Sequence, residues 1–258
     1  MNSSTPITPN LFVLGAGRCG TTTLYDLLKK HPDIHAPAIK EPSFFCSHFQ
    51  VVDNPVSYFS LFQSDKKYRL DCSHVYMSNP ETPTILAQLF PNARFIITLR
   101  DPMQRALSLY SWVRAPRKDS DPFESISNFF DALSAEEERF RSEEFFKNCP
   151  HYFWNFMYMR SSLYDVQIAR YFELFARSRF LFVSLSDIRN TPSSVTEKIA
   201  DFLDINPDAF GENPVQHKNK RQRHEDLGER ETQLMEDFFG DLTHRVDRLI
   251  GTPLDWSM

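Results

Sequence analysis

The stretch "FVLGAGRCGTTTLYDLLKKHP", residues 12–32, decides how the chain is read. The apolar run from Leu11 to Leu14 stops at a glycine and predicts a short strand. Leu24, Leu27 and Leu28 then recur at helical spacing until Pro32 ends the pattern, which predicts a helix. Between the two lie Gly15, Gly17 and Gly20, with Arg18 inside the turn and Thr21 and Thr22 at its close. A glycine-rich turn that runs into a helix start aims backbone N–H groups at one point, which suits a phosphate or another tetrahedral anion.

The same alternation recurs along the chain. "TPTILAQLFPNA" (82–93) predicts a helix, "RFIITLR" (94–100) a strand and "QRALSLYSWV" (104–113) a helix. "LYDVQIARYFELFA" (163–176), "RFLFVSLSDI" (179–188) and "SSVTEKIADFLDI" (193–205) repeat helix, strand, helix. Repeated units of this kind imply an α/β fold: a central parallel sheet flanked by helices on both faces, like that of the P-loop nucleotide-binding proteins. With 258 residues, 41% of them hydrophobic, the chain can bury one substantial core. It is therefore read as a single domain over 1–258, with a flexible N-terminus at 1–10 and an irregular helical insertion at 114–160. In that insertion the acidic run "SAEEERFRSEEFF" (134–146) reads as a solvated helix face.

Charge and cysteine usage narrow the class. A net charge of −5 argues against a dedicated nucleic-acid binder, which needs clustered Lys and Arg on its surface. Cys19, Cys46, Cys72 and Cys149 are scattered, without knuckle spacing or disulfide density, and read as free thiols in a reducing compartment. "MNSSTPITPN" has no secretory pattern, and no apolar run reaches the ~18 residues of a membrane span. The expectation is a cytoplasmic protein with no nucleic-acid or membrane partner; the sequence leaves its oligomeric state open.

Gly15 to Gly20 matches the glycine spacing of GxxxxGK[ST], but Thr21 stands where that loop carries lysine. A triphosphate with Mg²⁺ would also call for an acidic residue closing a later strand, whereas "FIITLR" ends in Arg100. The loop thus reads as built for an anion neutralised by side chains and amides, with no metal site. A P-loop kinase acting with ATP on a small metabolite is the alternative, and a non-catalytic nucleotide-binding module a third.

These residues resemble the sulfotransferases that use 3′-phosphoadenosine 5′-phosphosulfate (PAPS), in the branch shared by bacterial and heparan-type enzymes. Arg18, Gly20, Thr21 and Thr22 match the family's 5′-phosphosulfate loop, [KR]xGT[ST]. Arg100, Pro102, Arg105, Ser108 and Tyr110 match its 3′-phosphate motif, and Lys40, Glu41, Pro42, Phe44 and Phe45 match a KEP segment followed by aromatics. "SSLYDVQIARYFELFARSRFLFVSLSDIRNTP" (161–192) and "LIGTPLDW" (249–256) are also similar, so the likeness covers most of the chain.

The resemblance implies a donor site formed by Gly17, Arg18, Cys19, Gly20, Thr21 and Thr22 at the 5′ end and by Arg100 and Ser108 at the 3′-phosphate. Tyr164 is implied near the nucleotide, and Lys220 and Arg221 on a mobile loop, 211–227, that folds over it. Arg18, the loop amides, Thr21 and Thr22 would stabilise charge on the departing phosphate oxygen. Being an arginine, Arg18 grips two oxygens but does not donate a proton. For the base, Glu41 with a raised pKa beside Phe44 and Phe45 is the first choice, and His74 in "DCSHVYMSNP" the rival. Lys40 would lower the Glu41 pKa or contact sulfuryl oxygens. The implied activity is sulfuryl transfer from PAPS to a hydroxyl or amine of a small acceptor such as a secondary metabolite, leaving adenosine 3′,5′-bisphosphate (PAP). Lys40, Phe44, Phe45 and His74 would face that acceptor.

Overall fold

The computed structural model describes residues 7–118, 120–211 and 227–257. In chain order its elements are β1 (Leu11–Val13), α1 (Thr21–Leu28), β2 (Ile34–His35), α2 (Pro55–Ser60), β3 (Tyr68–Asp71), α3 (Val75–Ser78), α4 (Thr82–Leu89), β4 (Arg94–Leu99) and α5 (Pro102–Val113). They continue with α6 (Phe129–Ser134), α7 (Glu136–Arg141), α8 (Glu143–Asn148), α9 (Tyr164–Phe172), β5 (Phe180–Ser184), α10 (Leu185–Asn190), α11 (Pro192–Leu203), α12 (Glu229–Phe239) and α13 (Leu242–Ile250). By their contacts these residues form two compact units. One runs up to Leu99 and resumes at Arg170; the other holds Arg100–Ala169 and the C-terminal helices.

The first unit carries the sheet. Its five strands run in the order β2-β3-β1-β4-β5, and every pairing is parallel. Strand alternation sorts its side chains into two layers. Leu11 and Val13 of β1, Ile96 of β4 and Val183 of β5 pack with Leu24, Leu27 and Leu28 of α1 and with Val195, Ile199 and Leu203 of α11. Phe12 and Phe95 belong to the opposite face, which is aromatic: Phe95 stacks on Phe12 at 5.7 Å and on Phe180 at 4.9 Å. The strands are buried on both sides, so the apolar runs that predicted them are continuous rather than alternating. Ligands of such sheets collect at the carboxyl ends of the strands, where the loops after β1 and β3 lie and where β4 leads into Arg100.

Two strands escaped the sequence reading and one was read too long. β2 has only two residues, and β3, "YRLD", carries charged groups, so neither makes an apolar run. In "RFLFVSLSDI" the strand ends at Ser184, whose hydroxyl accepts from the Asp187 N–H at 2.8 Å in a capping box that opens α10.

The second unit holds the insertion as the short helices α6, α7 and α8. Glu137, Glu138, Glu143 and Glu144 are exposed, as a solvated face requires. Glu136 departs from that reading: it is 1% exposed and accepts the N–H groups of Met159 and Arg160, each at 2.8 Å. Burial pushes its pKa up to about 7 despite those donors and Arg160. Beside it, buried Glu124 takes both Arg139 nitrogens, at 2.7 and 2.8 Å, and the Tyr158 hydroxyl. A charge this buried is tolerated only with such full pairing.

Candidate active site

The loop after β1 continues the ladder to β4, with Leu14 N–H on the Ile96 carbonyl and Ala16 N–H on that of Thr98. It then turns through left-handed backbone at Arg18, φ 71°, and at Gly20, φ 91°. An arginine with positive φ is uncommon, and such conformers persist where the surroundings over-determine them. Gly20 begins α1 without a side-chain cap, and Thr22 is exposed in the helix's first turn. N–H and hydroxyl donors therefore stand next to a guanidinium, a donor set that fits a phosphosulfate. Cys19 lies inside this turn. Its N–H closes a turn onto the Ala16 carbonyl at 3.2 Å and its thiol is fully buried within the loop.

Gly15 and Gly17 have a second purpose that spacing does not show. A Cβ on Gly15 would stand 2.8 Å from the His74 Cβ, and one on Gly17 2.7 Å from the His74 Cδ2. The glycines let the His74 ring lie directly against the loop. His74 precedes α3, after the end of β3, so two neighbouring strand ends bring the loop and the imidazole together.

Glu41 reaches the same place from the segment after β2. Glu41 and Ser43 both have left-handed backbone, φ 63° and 54°. The Glu41 Oε2 lies 2.8 Å from His74 Nδ1, and Lys40 Nζ bonds Oε1. The raised Glu41 pKa expected from sequence is not found. Burial by itself would raise it, but His74 and then Lys40 outweigh burial by charge and hydrogen bonding and hold the carboxyl well below the usual carboxylate range. An ionised carboxylate only accepts, so Nδ1–H is the donor to Glu41. Phe44, half-buried, stacks on Tyr58 at 4.5 Å. Phe45 is turned into the core between Tyr58 and Phe90 and is 5% exposed.

The strand-end motif belongs to the second unit. Arg100 is 8% exposed, and Asp101 caps α5 by accepting the Gln104 N–H at 2.8 Å. Arg105 donates to the Ser161 and Ser162 hydroxyls at 2.9 and 2.8 Å, partners the sequence reading missed because they lie over fifty residues away. Ser108 is buried on α5. Tyr164 is fully buried, and its hydroxyl donates to the Arg100 carbonyl at 3.1 Å. Its ring lies parallel to that of Trp256, whose indole N–H donates to Asp247. Lys220 and Arg221 fall outside the described residues.

A parallel sheet that feeds a glycine loop bearing an arginine, and whose fourth strand leads into a buried Arg-x-Pro-x-x-Arg motif, defines a transferase that handles a phosphorylated donor. The chain belongs to the sulfotransferase domain family, whose model matches residues 8–238 and whose donor is PAPS. That membership replaces the kinase alternative. Along its sequence the chain is 27% identical to a membrane-associated sulfotransferase of Dictyostelium discoideum, over 83% of this chain and 60% of that protein. It is 24% identical to a bifunctional heparan sulfate N-deacetylase/N-sulfotransferase of Caenorhabditis elegans, over 76% of this chain and 22% of the other. The chain therefore spans between about a fifth and three fifths of these curated relatives. A crystal structure of a sulfotransferase from Alicyclobacillus acidocaldarius superposes with a TM-score of 0.77 at 26% identity, covering 95% of this chain and 97% of that one. No helix of the described residues is long and apolar enough to cross a membrane.

Proposed function

We propose that this chain moves a sulfuryl group from PAPS to a hydroxyl or amine of a small neutral or cationic acceptor, a natural product or similar metabolite, with His74 as the base. One observation carries the reading: the Glu41–His74 hydrogen bond stands against the glycine loop. With Nδ1–H committed to Glu41, the neutral ring keeps its lone pair on Nε2. That atom is on the side of Gly17, 3.3 Å from where a Cβ on this residue would stand. His74 Nε2 accepts the acceptor's proton, while Glu41 holds the ring's tautomer and stabilises the imidazolium, as a carboxylate does behind a catalytic histidine. Lys40 in turn keeps Glu41 ionised.

When bound, PAPS supplies the sulfuryl group and a phosphate leaving group. Arg18, the loop amides, Thr21 and Thr22 would neutralise the 5′ side, and Arg100 and Ser108 the 3′-phosphate, with Tyr164 and Arg105 as supports. Arg100 stands where a metal-binding loop protein would end its strand in an acid, which supports cationic side chains in the neutralising role.

The acceptor class rests on charge. From Pro42 to Asp65, the segment that follows Glu41, there is no lysine or arginine, and Val51 and Val56 lie exposed. A sulfated polysaccharide would require cations there. The four cysteines, none of them in a disulfide among the described residues, support a reducing, cytoplasmic setting.

The test is a transfer assay with PAPS across neutral, cationic and polyanionic acceptors, beside thermal-shift titrations with PAP and ATP. Transfer to small acceptors and stabilisation by PAP over ATP are expected. Equal turnover on a polyanionic glycan would overturn the acceptor class, and ATP-dependent phosphorylation would overturn the reaction.

A further inference from the structure

We propose that the buried Asp71 carboxylate positions the Glu41 loop. It captures the protons of Ser73 and Tyr76, and so turns their oxygen lone pairs onto the backbone that follows Glu41. The proposal rests on the Glu41–His74 reading above.

Asp71 closes β3 and is 0% exposed. Its Oδ1 accepts the Ser73 hydroxyl at 2.6 Å, and its Oδ2 accepts the hydroxyls of Tyr58 at 2.7 Å and Tyr76 at 3.1 Å. A hydroxyl has one proton; once that is given to the carboxylate, only lone pairs remain. Those of Ser73 and Tyr76 receive backbone donors: Ser43 N–H at 3.0 Å and Phe45 N–H at 3.3 Å. Two relays thus start at one anion and end two and four residues after Glu41. Tyr58 shares the carboxylate but makes no hydrogen bond with that backbone in the structure.

The loop needs such anchors. Glu41 and Ser43 hold left-handed conformers that cost each of them energy, and they persist only where surroundings impose them. The far side is fixed as well, with the N–H groups of Val51 and Val52 on the Pro42 carbonyl at 3.1 and 3.0 Å. Ser73 directly precedes His74, so the relay that seats Glu41 also holds the chain beside its partner. Burial raises the Asp71 pKa to about 6 against three donating hydroxyls, so near neutrality the group is in the anionic form the relays require.

Because Asp71→Asn risks unfolding the sheet around β3, the test removes one hydroxyl at a time in the full chain. Ser73→Ala and Tyr76→Phe should each lower kcat by roughly tenfold or more, with the KM for PAPS and the PAP-induced thermal shift little changed. Ser73→Thr, which keeps the hydroxyl, should restore kcat. Tyr58→Phe loses a hydrogen bond to the same carboxylate and should leave kcat within about threefold of the parent. Proton NMR of the His74 Nδ1–H should show the resonance shared with Glu41 displaced in Ser73→Ala and Tyr76→Phe and retained in Tyr58→Phe. An equal kcat loss in all three hydroxyl variants would mean a merely structural network and overturn the proposal. So would unimpaired Ser73→Ala and Tyr76→Phe enzymes beside a damaged Glu41→Gln. A fully active Glu41→Gln would instead remove the paired-base reading, and this proposal with it.

Discussion

In the proposed reaction His74 and Glu41 divide between them a task that either side chain could do alone. A carboxylate held below its usual pKa is a poor proton acceptor but a good orienting anion, which favours the imidazole as the proton acceptor in the proposed reaction. His74→Ala should therefore cut kcat by roughly 10²- to 10⁴-fold, and Glu41→Gln by less, while PAP titrations show donor binding nearly intact in both. The Glu41 pKa is lower folded than its ordinary 4.5, so its ionised form contributes stability above that pH, and the contribution is lost as pH falls below it. Melting temperatures measured between neutral and acidic pH should fall by an increment in the parent that Glu41→Gln lacks. The chemical type of both residues was legible in the sequence. Their pairing was not, because 33 residues separate them and only the adjacent β2 and β3 ends bring them together.

At the scale of elements, the glycine loop shows how one short sequence serves two constraints. Its positive-φ residues turn the chain from β1 into α1, and its missing Cβ atoms admit the histidine ring. Gly17→Ala should displace that ring, since the added methyl would meet Cδ2 at 2.7 Å, and lower kcat by about tenfold with a smaller effect on PAP affinity. In α7 the buried Glu136 has its pKa raised to about 7 from 4.5. The sign is opposite to that at Glu41: stability is fully present below about pH 4.5 and is lost as pH rises toward 7. Thermal melts across that interval should show the decline in the parent and a flatter profile in Glu136→Gln. The helical pattern of the insertion was visible in its sequence, but which of its glutamates turns inward was not, because neighbouring acids share one composition and differ only in what packs over them.

Across the whole molecule, the family match from residue 8 to 238 runs through both compact units, with one anion motif in each. If both motifs serve one donor, Arg18→Ala and Arg100→Ala should each weaken PAP binding by about tenfold or more, measured by calorimetry, whereas a donor held by the first loop alone would leave Arg100→Ala unaffected.

The sequence by itself determined the alternation of strand and helix, the glycine loop, the strand-end arginine and hence the family, because these are local patterns whose chemistry is set by residue type and spacing. The tertiary structure alone decided that Glu41 pairs with His74, that Cys19, Phe45 and Tyr164 are buried, and that the Asp71 carboxylate gathers the hydroxyls of Ser73, Tyr58 and Tyr76. Those outcomes depend on burial and on contacts between distant segments. Burial and distant partners set a carboxylate's charge and a hydroxyl's direction, and neither is written in the neighbouring residues.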